Sequence, residues 1–357
     1  MMRKMSYRNK WLMRWGALLL LLPLLSACGR GPGTAKDETA SIDPPPSSVE
    51  QTMLNDTVTA HDTKATDVVT VYLLDRNGYL APISMRMDAE QSSPRSSAEE
   101  AITWMTANEQ LADQLPPGFT AVLPAGTKVS SVTENKSEGS ISIDFAAPFP
   151  SSIASQERKV LEALVWTLTE IPGIDKVKLS AAGKPLTSLT SSGLPIDQVL
   201  TRGVGINLET GQGVQVNRSM AVTLYFSAQS AEGEGYFVPV TRLINRQANP
   251  AKAALEQLIL GPQKSKALKP VLTSDMTIEK LTQMADTVSV SLQDAGWMPQ
   301  SPVPSEMMEA LVLTLSEATG MPQVRVVMNG DDSLVDSDNR SYDHPVIRPT
   351  SINALVR

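Results

Sequence analysis

Glu162-Ala163-Leu164-Val165-Trp166-Thr167-Leu168-Thr169-Glu170 returns later in the chain as Glu309-Ala310-Leu311-Val312-Leu313-Thr314-Leu315-Ser316-Glu317. Gly173 then answers Gly320 and Val177 answers Val324, so nine of the sixteen positions from 162 to 177 are identical. Such self-similarity marks a repeated unit and has to be read before anything else. The register extends outward. Val69-Thr70-Val71-Tyr72 matches Val222-Thr223-Leu224-Tyr225, and Ile141-Ser142-Ile143 matches Val288-Ser289-Val290. Each copy closes on the same signature, Arg202 with Ile206-Asn207 and Arg348 with Ile352-Asn353. The expected domains are 69–207 and 221–357, joined by a linker over 208–220. At about 140 residues, each is long enough for its own core.

The two copies check each other's secondary structure. Ala98, Ala101, Ile102 and Met105 have helical spacing, as do Ala251, Ala254, Leu255 and Leu258. Ser96 and Glu99 have the spacing of a capping box. Asn249-Pro250 reads as a cap followed by a first-turn proline, and Gly261-Pro262 as a stop. A second helix carries Leu161, Leu164, Val165 and Leu168, answered by Met308, Leu311, Val312 and Leu315. Ile141, Ile143 and Phe145 alternate with Ser142 and Asp144, the pattern of a half-buried strand, and Val288, Val290 and Leu292 repeat it. Val177/Leu179 and Val324/Val326 supply the strand after the second helix. The order predicts an α+β fold, with a small sheet and both helices on one face of it in each copy. An extra hairpin is expected near Tyr79–Arg86.

The N-terminus reads as an export signal over 1–27. Arg3, Lys4, Arg8, Lys10 and Arg14 precede an apolar run, Gly16 to Leu25, that is short of the roughly 20 residues needed to span a bilayer. Leu25-Ser26-Ala27-Cys28 resembles a bacterial lipobox, which makes Cys28, the only cysteine, the expected lipidation site. A free core thiol is the alternative reading. Residues 28–68, with Pro44-Pro45-Pro46 and few large apolar side chains, read as a disordered tether. About forty flexible residues reach on the order of 35 Å. After cleavage, 26 Lys+Arg face 38 Asp+Glu, a net charge near −12. That excludes a nucleic-acid partner, which needs a basic footprint, and leaves membrane attachment to acyl chains.

The Val-Thr-x-Tyr opening, the Glu-Ala-Leu-Val-x-Thr-Leu helix and the Arg…Ile-Asn ending resemble the GerMN domain family. Two such domains behind a lipobox resemble its lipoproteins of sporulation and germination. The resemblance implies a βαββαβ fold like the ring-building motif. It also implies a location on the outer face of the cell membrane, in the space between mother cell and forespore. The partners it implies are the sporulation channel and ring proteins, the stage III AG ring protein and stage II protein Q. The alternative is an envelope module that recognises peptidoglycan or a sensor protein.

Catalytic chemistry is not expected. His61 falls in the tether and His344 near the C-terminus, neither with zinc spacing, and no nucleophile elbow, Walker A or dinucleotide fingerprint occurs; Gly203-Val204-Gly205 lacks a third glycine. Glu170 and Glu317 recur late in a helix and read as solvated or back-bonded helix ends, the alternative being carboxylates for glycan hydrolysis. Asp144 has Ser291 as its counterpart. Asp331, Asp332, Asp336 and Asp338 read as a solvated acidic loop; as a calcium loop from Asp336 they would place Ser341 where glycine belongs and Ile347 where glutamate belongs. No cofactor or metal is expected. The recurring polar pairs are Arg202/Asn207 and Arg348/Asn353. There Asn can cap a turn and Arg can bind a carboxylate, carbonyls or a partner. Trp104, Trp166 and Trp297 read as core.

Overall fold

Each copy begins with a hairpin. In copy one β1 (Val68–Asp75) pairs antiparallel with β2 (Leu80–Arg86). Asp75 folds the turn by accepting the amides of Asn77 and Tyr79 on Oδ1, both at 2.8 Å. Then come α1 (Ser97–Met105), a short α2 (Glu109–Ala112), β3 (Phe119–Thr120), β4 (Val129–Asn135) and β5 (Ser140–Phe145). The long α3 (Ala154–Leu168), β6 (Lys176–Ala181) and β7 (Lys184–Pro185) complete the copy. Copy two runs β8 (Glu209–Thr210), β9 (Ser219–Gln229), β10 (Gly235–Asn245), α4 (Pro250–Leu260), β11 (Thr277–Met284) and β12 (Thr287–Gln293). It closes with α5 (Ser305–Thr319), β13 (Gln323–Met328) and β14 (Val346–Ile347). This computed structural model describes residues 68–87, 96–146, 149, 154–263 and 266–354; the expected signal, tether, Cys28 and His61 lie outside them.

The fold class is α+β, and both helices expected of each copy are present with the expected buried faces. Ser96 and Glu99 form the capping box, and Asn249 caps α4 ahead of Pro250. The strands are distributed differently from the expectation of one sheet per copy. They divide into a hairpin sheet, β2-β1-β3 or β8-β10-β9, and a mixed sheet, β4-β5-β6-β7 or β11-β12-β13-β14. In each mixed sheet the two central strands run parallel, joined through the long helix, and the outer strand pairs with a register shift, between Val129 and Ser131 or between Ile278 and Lys280. The long helix packs against both sheets. The central strands of the mixed sheets alternate between buried and half-buried positions, whereas β1, β2, β9 and β10 have long runs of buried residues. Strands covered on both faces lose the period-two signature, so the sequence pattern under-reports them.

The hairpin expected near Tyr79–Arg86 has a counterpart in copy two, where β9 and β10 pair with 11 residues in each strand. Part of the expected linker is structural as well, because Glu209–Thr210 runs parallel to β10 with Glu209 opposite Arg242. Arg242 is fully buried, its Nε 2.6 Å from Glu209 Oε1, while its other nitrogens donate to the Gln257 and Gly261 carbonyls.

Candidate functional site: the seam between the two copies

The Arg…Ile-Asn signature that ends each copy lies where the two hairpin sheets meet, and all four of its polar residues are used there. Asn207 has φ +46° and Asn353 φ +52°, left-handed backbone that asparagine tolerates better than most residues. Asn207 Oδ1 accepts the Leu80 amide at 2.9 Å, and its Nδ2 donates to the carbonyls of Leu80 and Pro239, both at 2.7 Å. Asn353 does the reciprocal. Its Oδ1 accepts the Phe237 amide at 2.7 Å and its Nδ2 donates to Phe237 and Pro82, both at 2.8 Å. One side-chain amide therefore ties β2 to β10 from each direction. Prolines sit at the facing positions, where no backbone N–H is available for a direct ladder.

The residues before the asparagines cross over. The Ile206 amide donates to Thr241 Oγ1 of copy two at 2.9 Å, and the Ile352 amide donates to Ser84 Oγ of copy one at 2.8 Å. Thr241 in turn meets Thr223, and Ser84 meets Thr70. Each copy thus ends against the other copy's hairpin.

A four-membered charge cluster lies in the same seam. Arg202 Nη2 is 2.6 Å from Glu170 Oε1, and its Nη1 is 2.6 Å from Glu317 Oε2, so one guanidinium spans the carboxylates of both copies. Arg348 Nη2 is 3.5 Å from each of the same two oxygens. The guanidinium of Arg202 stacks 4.6 Å from the Trp166 ring centroid and donates through Nε to Thr169; Arg348 lies over Tyr225 and donates to the Leu313 carbonyl. Tyr72 donates its hydroxyl to Glu170 at 2.9 Å, and Tyr225 accepts from Arg348 at 3.0 Å. Thr167 and Thr314 receive the backbone amides of these tyrosines. The recurring Tyr, Thr, Glu and Arg positions therefore belong to a single network. At 14–20% side-chain exposure the four charges retain little solvent, which makes their mutual pairing decisive.

The electrostatics follow from that burial. Burial alone would raise the Glu170 carboxyl, but Arg202 and Arg348, with hydrogen bonds from Tyr72 and Arg202, hold it below its ordinary value. Burial and then the Glu170 charge push the Tyr72 phenol well up, and burial raises Tyr225. Burial disfavours the charge on both arginines, yet the surrounding carboxylates and phenols hold them protonated above their usual range. The arrangement offers no free base: both carboxylates are held by guanidinium groups, so the expectation of solvated helix ends at Glu170 and Glu317 is replaced by buried ion pairs. The repetition of Glu170 and Glu317 was itself the available signal for this, as was that of Tyr72 and Tyr225.

The other candidate residues serve local structure. Asp336 is buried, taking the amides of Asp338 and Arg340 on Oδ1 and the Tyr342 hydroxyl on Oδ2, while Asp332 pairs with Arg325. Asp144 accepts the Gly183 amide. His344 is exposed beside Asp343. Gly205 gives its carbonyl to the Trp166 indole, and Trp297 donates to Ser301. Among the described residues no group of three or more His, Cys, Asp or Glu is placed to hold a metal ion.

Comparison with known proteins agrees with this architecture. The sequence pattern of the Germane family, described as sporulation and spore germination, matches residues 70–187 and 223–333. The chain is 31% identical over 305 residues to the spore germination protein GerM of Bacillus subtilis, covering 84% of this chain and 81% of that protein. A solved structure of the tandem GerMN domains of GerM from Bacillus subtilis superposes with a TM-score of 0.74 at 30% identity, covering 80% of this chain and 99% of that one. With both halves matched and the repeat signature closing the seam between them, the chain belongs to the Germane family of sporulation and spore-germination proteins, with two GerMN domains in tandem.

Proposed function

We propose that this protein is a non-catalytic lipoprotein, anchored through Cys28 on the outer face of the cell membrane. There it binds and stabilises an envelope assembly during sporulation, the channel complex between mother cell and forespore, with consequences for germination. The observation that carries this reading is the fate of the recurring polar residues. Arg202, Asn207, Arg348, Asn353, Glu170 and Glu317 are all spent on clasping one copy to the other, so none of these recurring residues is left as an acid–base pair facing a substrate. Family membership supports the sporulation setting.

The test is to solubilise membranes from sporulating cells that carry an epitope-tagged chain and to identify what is retained. Recovery of channel and ring proteins, lost when Cys28 is replaced by Ala, is the expected result. Recovery of wall fragments or a sensor protein without channel proteins would replace this reading with a peptidoglycan- or sensor-binding module. A deletion strain that sporulates and germinates normally would refute it.

A further inference from the structure

Asparagine followed by glycine occurs twice in the chain, at Asn77-Gly78 and at Asn329-Gly330. In such a pair the glycine amide nitrogen can attack the asparagine side-chain carbonyl, because glycine brings no side chain to crowd the approach. Both asparagines are exposed, yet their side chains are held differently. Asn329 is clamped. Its Oδ1 accepts the Asp294 amide at 2.8 Å, and its Nδ2 donates to the carbonyls of Asp294 at 2.7 Å and Trp297 at 3.4 Å. Asn77 sits at the tip of the turn between β1 and β2. Its Nδ2 lies 3.5 Å from Asp75 Oδ2, at the edge of bonding range, and that oxygen has a nearer donor in the Tyr236 hydroxyl at 2.7 Å. Its Oδ1 has no donor among the described residues.

The surroundings of Asn77 favour the attack. It lines a concavity of about 610 Å³ between the two copies, together with Arg76, Tyr79, Gln229, Lys266 and Lys269. Three cations and no carboxylate line this space; Asp75, 4% exposed, is turned inward on the amides of Asn77 and Tyr79 and the Tyr236 hydroxyl. Positive charge there stabilises both the deprotonated amide nitrogen and the oxyanion that forms as it attacks. Gly78 has φ +83°, and the space where a Cβ would lie is empty out to 4 Å. Its amide donates to the Asp75 carbonyl at 3.0 Å, so the attack follows the opening of one turn bond.

We propose that Asn77-Gly78 is a site of spontaneous covalent modification that loosens one contact between the copies. The Gly78 nitrogen bonds to Asn77 Cγ, the Cγ–Nδ2 bond breaks, and Nδ2 leaves as ammonia carrying the amide proton. Water then opens the resulting succinimide at either carbonyl, which gives aspartate or isoaspartate at position 77. Isoaspartate routes the main chain through the side-chain methylene and lengthens it by one carbon. That carbon falls between the amides of Asn77 and Tyr79, which Asp75 Oδ1 holds at 2.8 Å each. The same tip reaches copy two, where Tyr236 donates to Asp75 Oδ2 at 2.7 Å and Arg76 Nη2 donates to the Gln229 carbonyl at 3.2 Å. Lengthening the turn displaces these groups and weakens a contact outside the charge cluster of the seam. The modification is independent of the binding role proposed above.

The experiment incubates the full-length protein at mildly alkaline pH, native and in urea, and follows both asparagines by peptide mapping with isoaspartate detection. In urea the two should convert at similar rates. In the native protein Asn77 should convert at least about tenfold faster than Asn329, whose clamp has to open first. The rate at Asn77 should rise with pH, since the attacking nitrogen must lose its proton. Asn77→Asp carries the new charge without the longer main chain. The isoaspartate fraction, separated by chromatography, should therefore melt below both Asn77→Asp and fresh protein. Retention of both amides, native conversion of Asn329 as fast as that of Asn77, or an isoaspartate fraction that melts with Asn77→Asp would each overturn the proposal.

Discussion

Arg202 shows how a single side chain can hold two domains. Its guanidinium touches a carboxylate from each copy, and truncation would leave Glu170 and Glu317 facing each other with only the more distant Arg348 between them. Breaking a buried pair by removing one partner costs about 3–5 kcal/mol, so Arg202→Ala should lose about that much in urea denaturation, far more than an exposed arginine. The pH dependence has a definite sign. The Glu170 carboxyl titrates lower in the folded protein than in the unfolded chain, whose value lies at about 4.3. The unfolded state therefore takes up protons first. The contribution is present above about pH 4.3 and is lost as pH falls through the folded value. Melting temperature measured against pH should drop on this acid limb, and Glu170→Gln should flatten it. At this scale the sequence was half legible. The recurrence of Arg202 and Arg348 marked them as polar fixtures with a carboxylate among their possible partners, but Glu317 is 115 residues away from Arg202 and no local pattern joins the two.

Elements were easiest to read where one face alone is buried. Ile141, Ile143 and Phe145 trace the inner stripe of β5, where the half-buried Ser142 and Asp144 keep the period visible. The helix α3, by contrast, is buried on every side from Val160 to Leu168 and was legible through its repetition at 309–317. The hairpins failed that test. Phe237-Val238-Pro239-Val240 is buried throughout, lying between its own helices and the other copy, so β10 carries no alternation to detect. The strand inside the linker was hidden for another reason: two residues are too few to carry a period. Their weight is nonetheless large, since Glu209 is the carboxylate partner of a fully buried arginine. Glu209→Ala should therefore cost about 3 kcal/mol or more, while Glu209→Gln, which retains an acceptor for the Arg242 nitrogen, should cost less; chemical denaturation of both variants distinguishes a structural strand from a passive tether.

At the scale of the molecule, the described residues form one compact unit in which either copy's last residues belong energetically to the other. Unfolding one copy would strip the acceptors from the second, so calorimetry should record a single transition with equal van't Hoff and calorimetric enthalpies. Replacing both Asn207 and Asn353 by Ala leaves the backbone groups of Leu80, Phe237, Pro82 and Pro239 without their amide partners and should separate that transition into two. The reciprocity of these bonds also defines a symmetry. A surface on which Asn207 does to Pro239 what Asn353 does to Pro82 is self-complementary, the mark of an isologous contact between identical subunits. In this chain the contact that would join two identical subunits is made inside one covalent body. Covalently joined, at an effective concentration on the order of millimolar, neither half needs to meet an identical twin. Each is free to differ wherever the shared face does not constrain it, and the copies do differ there: Arg242 and Gln257 in one stand where the other has Met85 and Trp104.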